Sequence, residues 1–211
     1  MTRRGLFITF EGADGSGKTT QMHRLITRIR RDGLKVLVTA EPGGTPIGVR
    51  IRDILLDNAH REMHPTTEML LYFASRAQNV HQWIMPALAS GHVIVCDRFT
   101  DSTLVYQGAA RGLGEEQVRA MHRFACGPLW PDLTVYLDLD IETGLARTHR
   151  RGKDRMESQS ADFHQRVRDA YLRLAAAEPA RFRVIDGRPH QDVVEQAVWS
   201  AVAPSLEALR V

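Results

Sequence analysis

The chain has 211 residues, 43% of them apolar and 25% charged, with a formal net charge of +3. At about 100–200 residues per domain this is a single unit over 1–211, and about 70% of its unfolded surface can be buried without covalent staples. Two cysteines, Cys96 and Cys126, exclude a disulfide scaffold and a zinc site made of cysteine alone. The apolar run at residues 6–10 is too short for a secretory signal, and nothing approaches the ~18 residues of a membrane span. The expectation is a cytoplasmic protein with no membrane partner. The positive charge is concentrated. Residues 147–155 hold Arg147, Arg150, Arg151, Lys153 and Arg155 against the single acid Asp154, a larger surplus than that of the whole chain. A nucleic-acid surface spreads its cations over several elements; one compact cluster suits a small anionic ligand.

In chain order, residues 6–10 (LFITF) read as a buried strand and 11–19 as a glycine-rich turn. Helical spacing of Met22, Leu25, Ile26 and Ile29 predicts a helix over 20–31, stopped by Gly33. A second strand at 36–38 precedes the loop 41–46 (EPGGTP), and 47–56 is an amphipathic helix. A long helix spans 66–89 with an interruption near Pro86, and 92–96 (HVIVC) is apolar enough for the centre of a parallel sheet. Helices at 102–110 and 115–124 lead to strands at 133–137 and 182–186. Two helices bracket the basic segment, and a last one covers 191–209. Strands alternating with helices predict a doubly wound α/β fold, whose ligands sit beyond the carboxyl ends of the strands.

Residues 12–19, GADGSGKT, match G-x-x-x-x-G-K-[ST] in full, with a strand before and a helix after. In this motif glycines let backbone N–H groups converge on phosphate oxygens, and the helix N-terminus adds a favourable dipole. Gly12, Ala13, Asp14, Gly15, Ser16, Gly17, Lys18, Thr19 and Thr20 are therefore the candidate ATP- or GTP-binding residues. Lys18 is assigned to the β/γ-phosphates and is expected to face solvent without nucleotide. The Thr19 hydroxyl is a candidate Mg²⁺ ligand. Asp97, closing the apolar strand that ends at Cys96, stands where a second Mg²⁺-holding carboxylate belongs. Its bland alternative is a cap on the following helix.

Glu11-Gly12, Glu41-Pro-Gly-Gly-Thr45, Phe73-x-x-Arg76, Asp97-Arg98, Ser102-Thr103-x-x-Tyr106-Gln107-Gly108 and Asp154-Arg155-x-Glu157 follow one another in this order. The series resembles the bacterial thymidylate kinases over roughly residues 5–190. The resemblance implies a P-loop NTPase-type five-stranded parallel sheet flanked by helices, a short mobile lid at about 147–157, and a homodimer. It implies transfer of the ATP γ-phosphate to dTMP with Mg²⁺, and no nucleic-acid partner. It places Phe73 against the thymine ring, Arg76 on its carbonyl edge, Thr103 and Gln107 on the base edge and Tyr106 against the sugar. Ser102 joins this group, Arg98 clamps the acceptor phosphate, and Glu41, Pro42 and Arg50 lie near it, with Glu41-Pro42 a candidate cis bond.

Asp14 at the third cradle position matches the subgroup whose transferring phosphoryl is neutralised from the lid. Arg151 is the first choice for that catalytic cation and Arg155 the second. Ala40 departs from the family, where Arg often precedes the Glu-Pro pair. On the residues alone, the favoured reading makes Phe73 core and Arg76 a solvated side chain, and the basic run has a solvated loop as its lesser alternative. Two alternatives stay open at this level: a kinase for another nucleoside monophosphate, and a nucleotide-gated P-loop switch.

Overall fold

The computed structural model describes residues 4–148 and 154–209. Strands β1 (Leu6–Gly12), β2 (Val36–Ala40), β3 (Val93–Asp97), β4 (Leu133–Asp138) and β5 (Phe182–Asp186) form one parallel sheet in the order β2-β3-β1-β4-β5. Every residue of β1 is buried, as a central parallel strand covered on both faces requires. Phe7 points into a core with Phe73, Phe99, Tyr136 and Tyr171. Leu6, Ile8 and Phe10 point to the other side, where helices α1 (Lys18–Arg31) and α9 (Gln191–Glu207) pack together.

Two boundaries differ from the sequence reading, and both matter to the site. β1 runs on through Glu11 and Gly12, and α1 starts at Lys18 rather than Thr20. The turn between them is only residues 13–17. Glu11, expected in that turn, is a strand residue with a buried side chain.

After α2 (Pro46–Leu56), the long helix forms as α3 (Pro65–Asn79), a π-helical stretch (Val80–Ile84) and α4 (Met85–Ala89). Pro86 has no N–H to offer the preceding turn and crowds the carbonyl four residues back. Widening of the backbone just before it absorbs the mismatch without breaking the rod. Beyond β3, α5 (Thr100–Thr103) runs into a second π-helical stretch (Leu104–Ala110), then α6 (Glu115–Cys126). α7 (Ile141–Thr148) and α8 (Ala161–Ala177) flank the basic segment. Arg150, Arg151 and Lys153 lie outside the described residues.

A buried polar chain ties the back of the sheet together. The Thr9 and Thr134 hydroxyls are 3.0 Å apart, and Thr134 donates to Asp101 at 2.9 Å. Arg181 donates twice to the Asp101 carboxylate, both times at 2.7 Å. Asp101 is fully buried. Removing one partner of such a pair strands the other charge, so Asp101→Ala should cost about 3–5 kcal/mol of stability, read from the urea midpoint.

Candidate active site

The carboxyl ends of β1, β2 and β3 open into a cleft of about 450 Å³. Its register is set by the sheet, with Phe10 opposite Asp97 and Asp97 opposite Ala40. Asp14, Gly15, Gly17, Lys18, Thr19 and Thr20 form one wall. Gly15 has φ +79°, and a Cβ there would lie 2.6 Å from the Gly144 carbonyl oxygen. Gly17, with φ +93°, caps α1 without a side-chain hydrogen bond. The first amides of α1 are thus left to an anion. Gly12 ends β1, Ala13 and Ser16 lie in the turn, and none of the three lines the cleft.

Lys18 does not face solvent. Its side chain is buried, and Nζ donates to the Gly12 carbonyl at 2.8 Å and the Ala13 carbonyl at 3.1 Å. The turn wraps around its own lysine, because the ammonium is the nearest donor for those two carbonyls. Burial and the Arg98 charge hold its pKa below the ordinary lysine value, against the pull of Asp14, Asp97 and Glu11.

Asp97 reaches the cleft with Oδ1 buried and without a hydrogen-bond partner. The next residue, Arg98, is the one non-glycine with positive φ among the described residues, at +67°. A left-handed backbone costs such a residue about 1–3 kcal/mol, and it turns the guanidinium back over the cradle. There Arg98 lies 3.6 Å from Asp14, 3.9 Å from Glu11 and 3.3 Å from the Ser102 hydroxyl.

Glu11 stands in the sequence motif without an assigned role. Its carboxylate accepts the Phe99 N–H at 2.9 Å, and the Ser102 and Tyr171 hydroxyls each at 2.6 Å. Burial, reinforced by Asp101, pushes its pKa up to about 7 despite Arg98 and the hydroxyl donors.

On the opposite wall, Glu41 and Arg76 are both buried. Glu41 accepts Arg76 Nε at 2.5 Å and Asn79 Nδ2 at 3.1 Å, and the Glu41-Pro42 bond is cis, as expected. Arg76 Nη2 donates to the Phe99 carbonyl, while Nη1 is buried with no partner. Thr103 Oγ1 is likewise buried and unpartnered. Tyr106 and Gln107 complete this end of the cleft.

Three assignments are corrected. Phe73 is 2% exposed and packs into the core, so its ring cannot stack on a ligand. Tyr72, one full turn before Arg76, lines the cleft instead. Arg50 points to solvent, whereas Arg52 lines the cleft and donates to the Pro42 carbonyl. Arg155 is buried outside the cleft, its Nε on the Leu55 carbonyl and its Nη1 2.6 Å from Glu68. That makes it an anchor in this structure rather than a cation aimed at the cradle. Arg151 lies outside the described residues.

Arg147 has no assigned role in the sequence motifs either. It lines the cleft beside the cradle, with Nη1 on the Gly187 carbonyl at 2.9 Å. Its position as the first cation of the basic run is the available signal.

The raised pKa of Glu11 links stability to pH with a definite sign. Between about pH 4.5 and 7 the folded protein holds a proton at Glu11 that the unfolded chain has released. The stabilisation is full below the ordinary value and is lost as pH rises to about 7. Thermal unfolding across that window should show wild type losing Tm relative to Glu11→Gln; parallel profiles would clear Glu11 as the source.

A family model described as thymidylate kinase matches residues 10–198. A thymidylate kinase of Deinococcus radiodurans is 51% identical, covering 95% of this chain and 97% of that protein. One from Pseudomonas fluorescens is 47% identical over 98% of this chain and 99% of its own length. The crystal structure of thymidylate kinase from Ehrlichia chaffeensis superposes with a TM-score of 0.76 at 30% identity, covering 95% of this chain and 99% of that one. With the cradle, the Asp97-Arg98 strand end and the Glu41-Arg76 wall in one cleft, these matches place the chain in the thymidylate kinase family.

Proposed function

We propose that this cleft transfers the γ-phosphoryl group of ATP to dTMP, giving dTDP. The observation that carries the reading is the pair of buried, unpartnered polar atoms, Arg76 Nη1 and Thr103 Oγ1, held beside Tyr72 across from the phosphate cradle. Buried polar groups without partners are rare and call for a ligand that supplies them. A flat ring carrying a carbonyl oxygen does so, with Tyr72 available to stack on it.

The donor phosphates lie on the amides at the start of α1, and Lys18 exchanges its two carbonyl partners for phosphate oxygens. Arg98, already turned over the cradle, reaches toward the phosphate of the acceptor, and Arg52 flanks it. Tyr106 closes on the sugar, and Glu41 serves by fixing Arg76. Arg147, which lines the cleft beside the cradle, is our candidate for a contact to the donor nucleotide.

Asp97 Oδ1 and the Thr19 hydroxyl suit Mg²⁺, since that ion takes one or two hard oxygen ligands from the protein and the rest from phosphate and water. The described residues contain no cluster of three His, Cys, Asp or Glu side chains that would hold a metal alone. When bound, Mg²⁺ draws charge from the β- and γ-oxygens. Arg151 is our candidate for the remaining cation at the transferring group.

The homodimer is supported by the outer side of the long helical rod. Of its apolar residues, Met69, Phe73, Val80 and Ile84 are spent in the core, whereas Leu70 and Trp83 stay 47% and 42% exposed. Ile47 and Ile54 of the adjoining α2 are also exposed. We place the protein in the cytoplasm; no described helix is long and apolar enough to cross a membrane.

A panel of nucleoside monophosphates with saturating Mg·ATP tests the reading. Turnover should be greatest on dTMP, with dUMP reduced by the about 1–3 kcal/mol that a missing methyl is worth in a pocket. Equal turnover of dCMP or dGMP would refute the base site. Lys18→Ala should lower kcat by about 10²–10³-fold through loss of a charge aimed at the transferring group. Its Tm should also fall, because two buried carbonyls lose their donor; unchanged kinetics would contradict the cradle assignment.

A further inference from the structure

Glu68 is a fully buried acid on α3 that the reaction as described does not use. Four donors converge on it. Gln107 Nε2 gives to Oε1 at 2.8 Å, Arg111 reaches both oxygens at 3.2 Å, and Arg155 Nη1 lies 2.6 Å from Oε2. Burial alone would raise its pKa. The Gln107 and Arg111 hydrogen bonds, with the Arg111 and Arg155 charges, outweigh that and hold it below the ordinary carboxylate value. Glu68 therefore stays ionised, and an ionised carboxylate only accepts hydrogen bonds.

Gln107, a cleft residue, is constrained by that charge. A glutamine side chain can turn either its oxygen or its NH₂ toward a ligand, and the two choices differ little in shape. Opposite Glu68 only one is permitted, because the NH₂ must face the carboxylate. The side-chain hydrogen bond described for Gln107 uses Nε2 and leaves Oε1 to the cleft that the residue lines. The cleft thus presents a fixed acceptor, Gln107 Oε1, together with a fixed donor, Arg76 Nη1. A base with a carbonyl next to a ring N–H matches that pair. Cytosine, with an amino group next to a bare ring nitrogen, opposes both.

Resting on the reading of this cleft as the dTMP site, we infer that Glu68 is a positioning residue that sets base specificity by locking the amide polarity of Gln107. Glu68→Gln removes the lock, since an amide can donate to Gln107 as well as accept from it. The ratio of kcat/KM for dTMP over dCMP should fall about tenfold or more, the equivalent of one unpaired buried polar group. The KM for ATP should stay within twofold of wild type.

Gln107→Leu should lower the ratio similarly, and Glu68→Gln in that background should lower it no further, because the effect runs through Gln107. Losses that multiply in the double variant, or a Glu68→Gln enzyme slower on both substrates with its ratio intact, would overturn the inference. If Glu68→Gln does not fold with two guanidiniums left uncompensated, Glu68→Asp keeps their counter-charge while withdrawing the carboxylate from Gln107. The same fall in the ratio is then required of it, and an unchanged ratio would overturn the inference. Failure of wild type to turn over dTMP is a separate result, which would refute the dTMP reading itself.

Discussion

Parallel pairing of β1 with β3, in the register that sets Phe10 opposite Asp97, is the constraint on which the site depends. It brings the start of the cradle and the Asp97-Arg98 pair to one edge of the sheet. A slip of one residue would turn Asp97 to the opposite face. The register is held by the two-sided burial of β1, whose alternate side chains fill different cores. Packing energy spent deep in the sheet is therefore what aligns the charged groups at its end. Arg98 N–H closes the arrangement by donating to the Phe10 carbonyl, which fixes the backbone just where it turns left-handed.

Around that edge the protein buries three carboxylates, Glu11, Glu41 and Glu68, none touching the transferred group in our reading. Each organises side chains that line the cleft. Glu11 holds Ser102 and Tyr171 and lies near Arg98, Glu41 holds Arg76, and Glu68 holds Gln107. Burying ions is costly, and hydrophobic replacements are often no less stable. What the carboxylates give in return is direction: a guanidinium or amide whose orientation is fixed before the substrate arrives. Phosphoryl transfer relies mainly on positioning and electrostatics, so orientation fixed in advance is what the reaction needs.

The sheet, the cradle and the nucleotide class were legible because each depends on local pattern: an apolar run, a glycine spacing, a strand-end acid. What escaped depended on packing between distant segments. Phe73 and Tyr72 both lie within about one helical turn of Arg76, at spacings of three and four that periodicity accepts equally. Only the core partners Phe7 and Phe99 decide which ring is buried. Arg50 and Arg52 differ in the same way, by which face of α2 meets the Pro42 loop. Arg155 reads as a member of a solvated run until Glu68, 87 positions earlier, claims its charge. Glu68 carries no local signature, since nothing near it in sequence announces Gln107 or Arg111.

Lys18 shows how such internal pairing shapes binding. Its ammonium is satisfied by two backbone carbonyls, so on the proposed reading phosphate gains only the difference between two neutral acceptors and an anion. Charge-assisted hydrogen bonds are roughly twice as strong as neutral ones, so the exchange still favours the nucleotide. Arg98 follows the same logic from the opposite sign, since its neighbours Asp14 and Glu11 are anions with which an incoming phosphate competes. With Glu11 titrating near neutrality, that competition weakens as the carboxyl gains a proton. The cleft therefore does not wait as a set of bare charges. On the proposed reading it holds Lys18 and Arg98 against partners that phosphate displaces, which leaves the geometry ready.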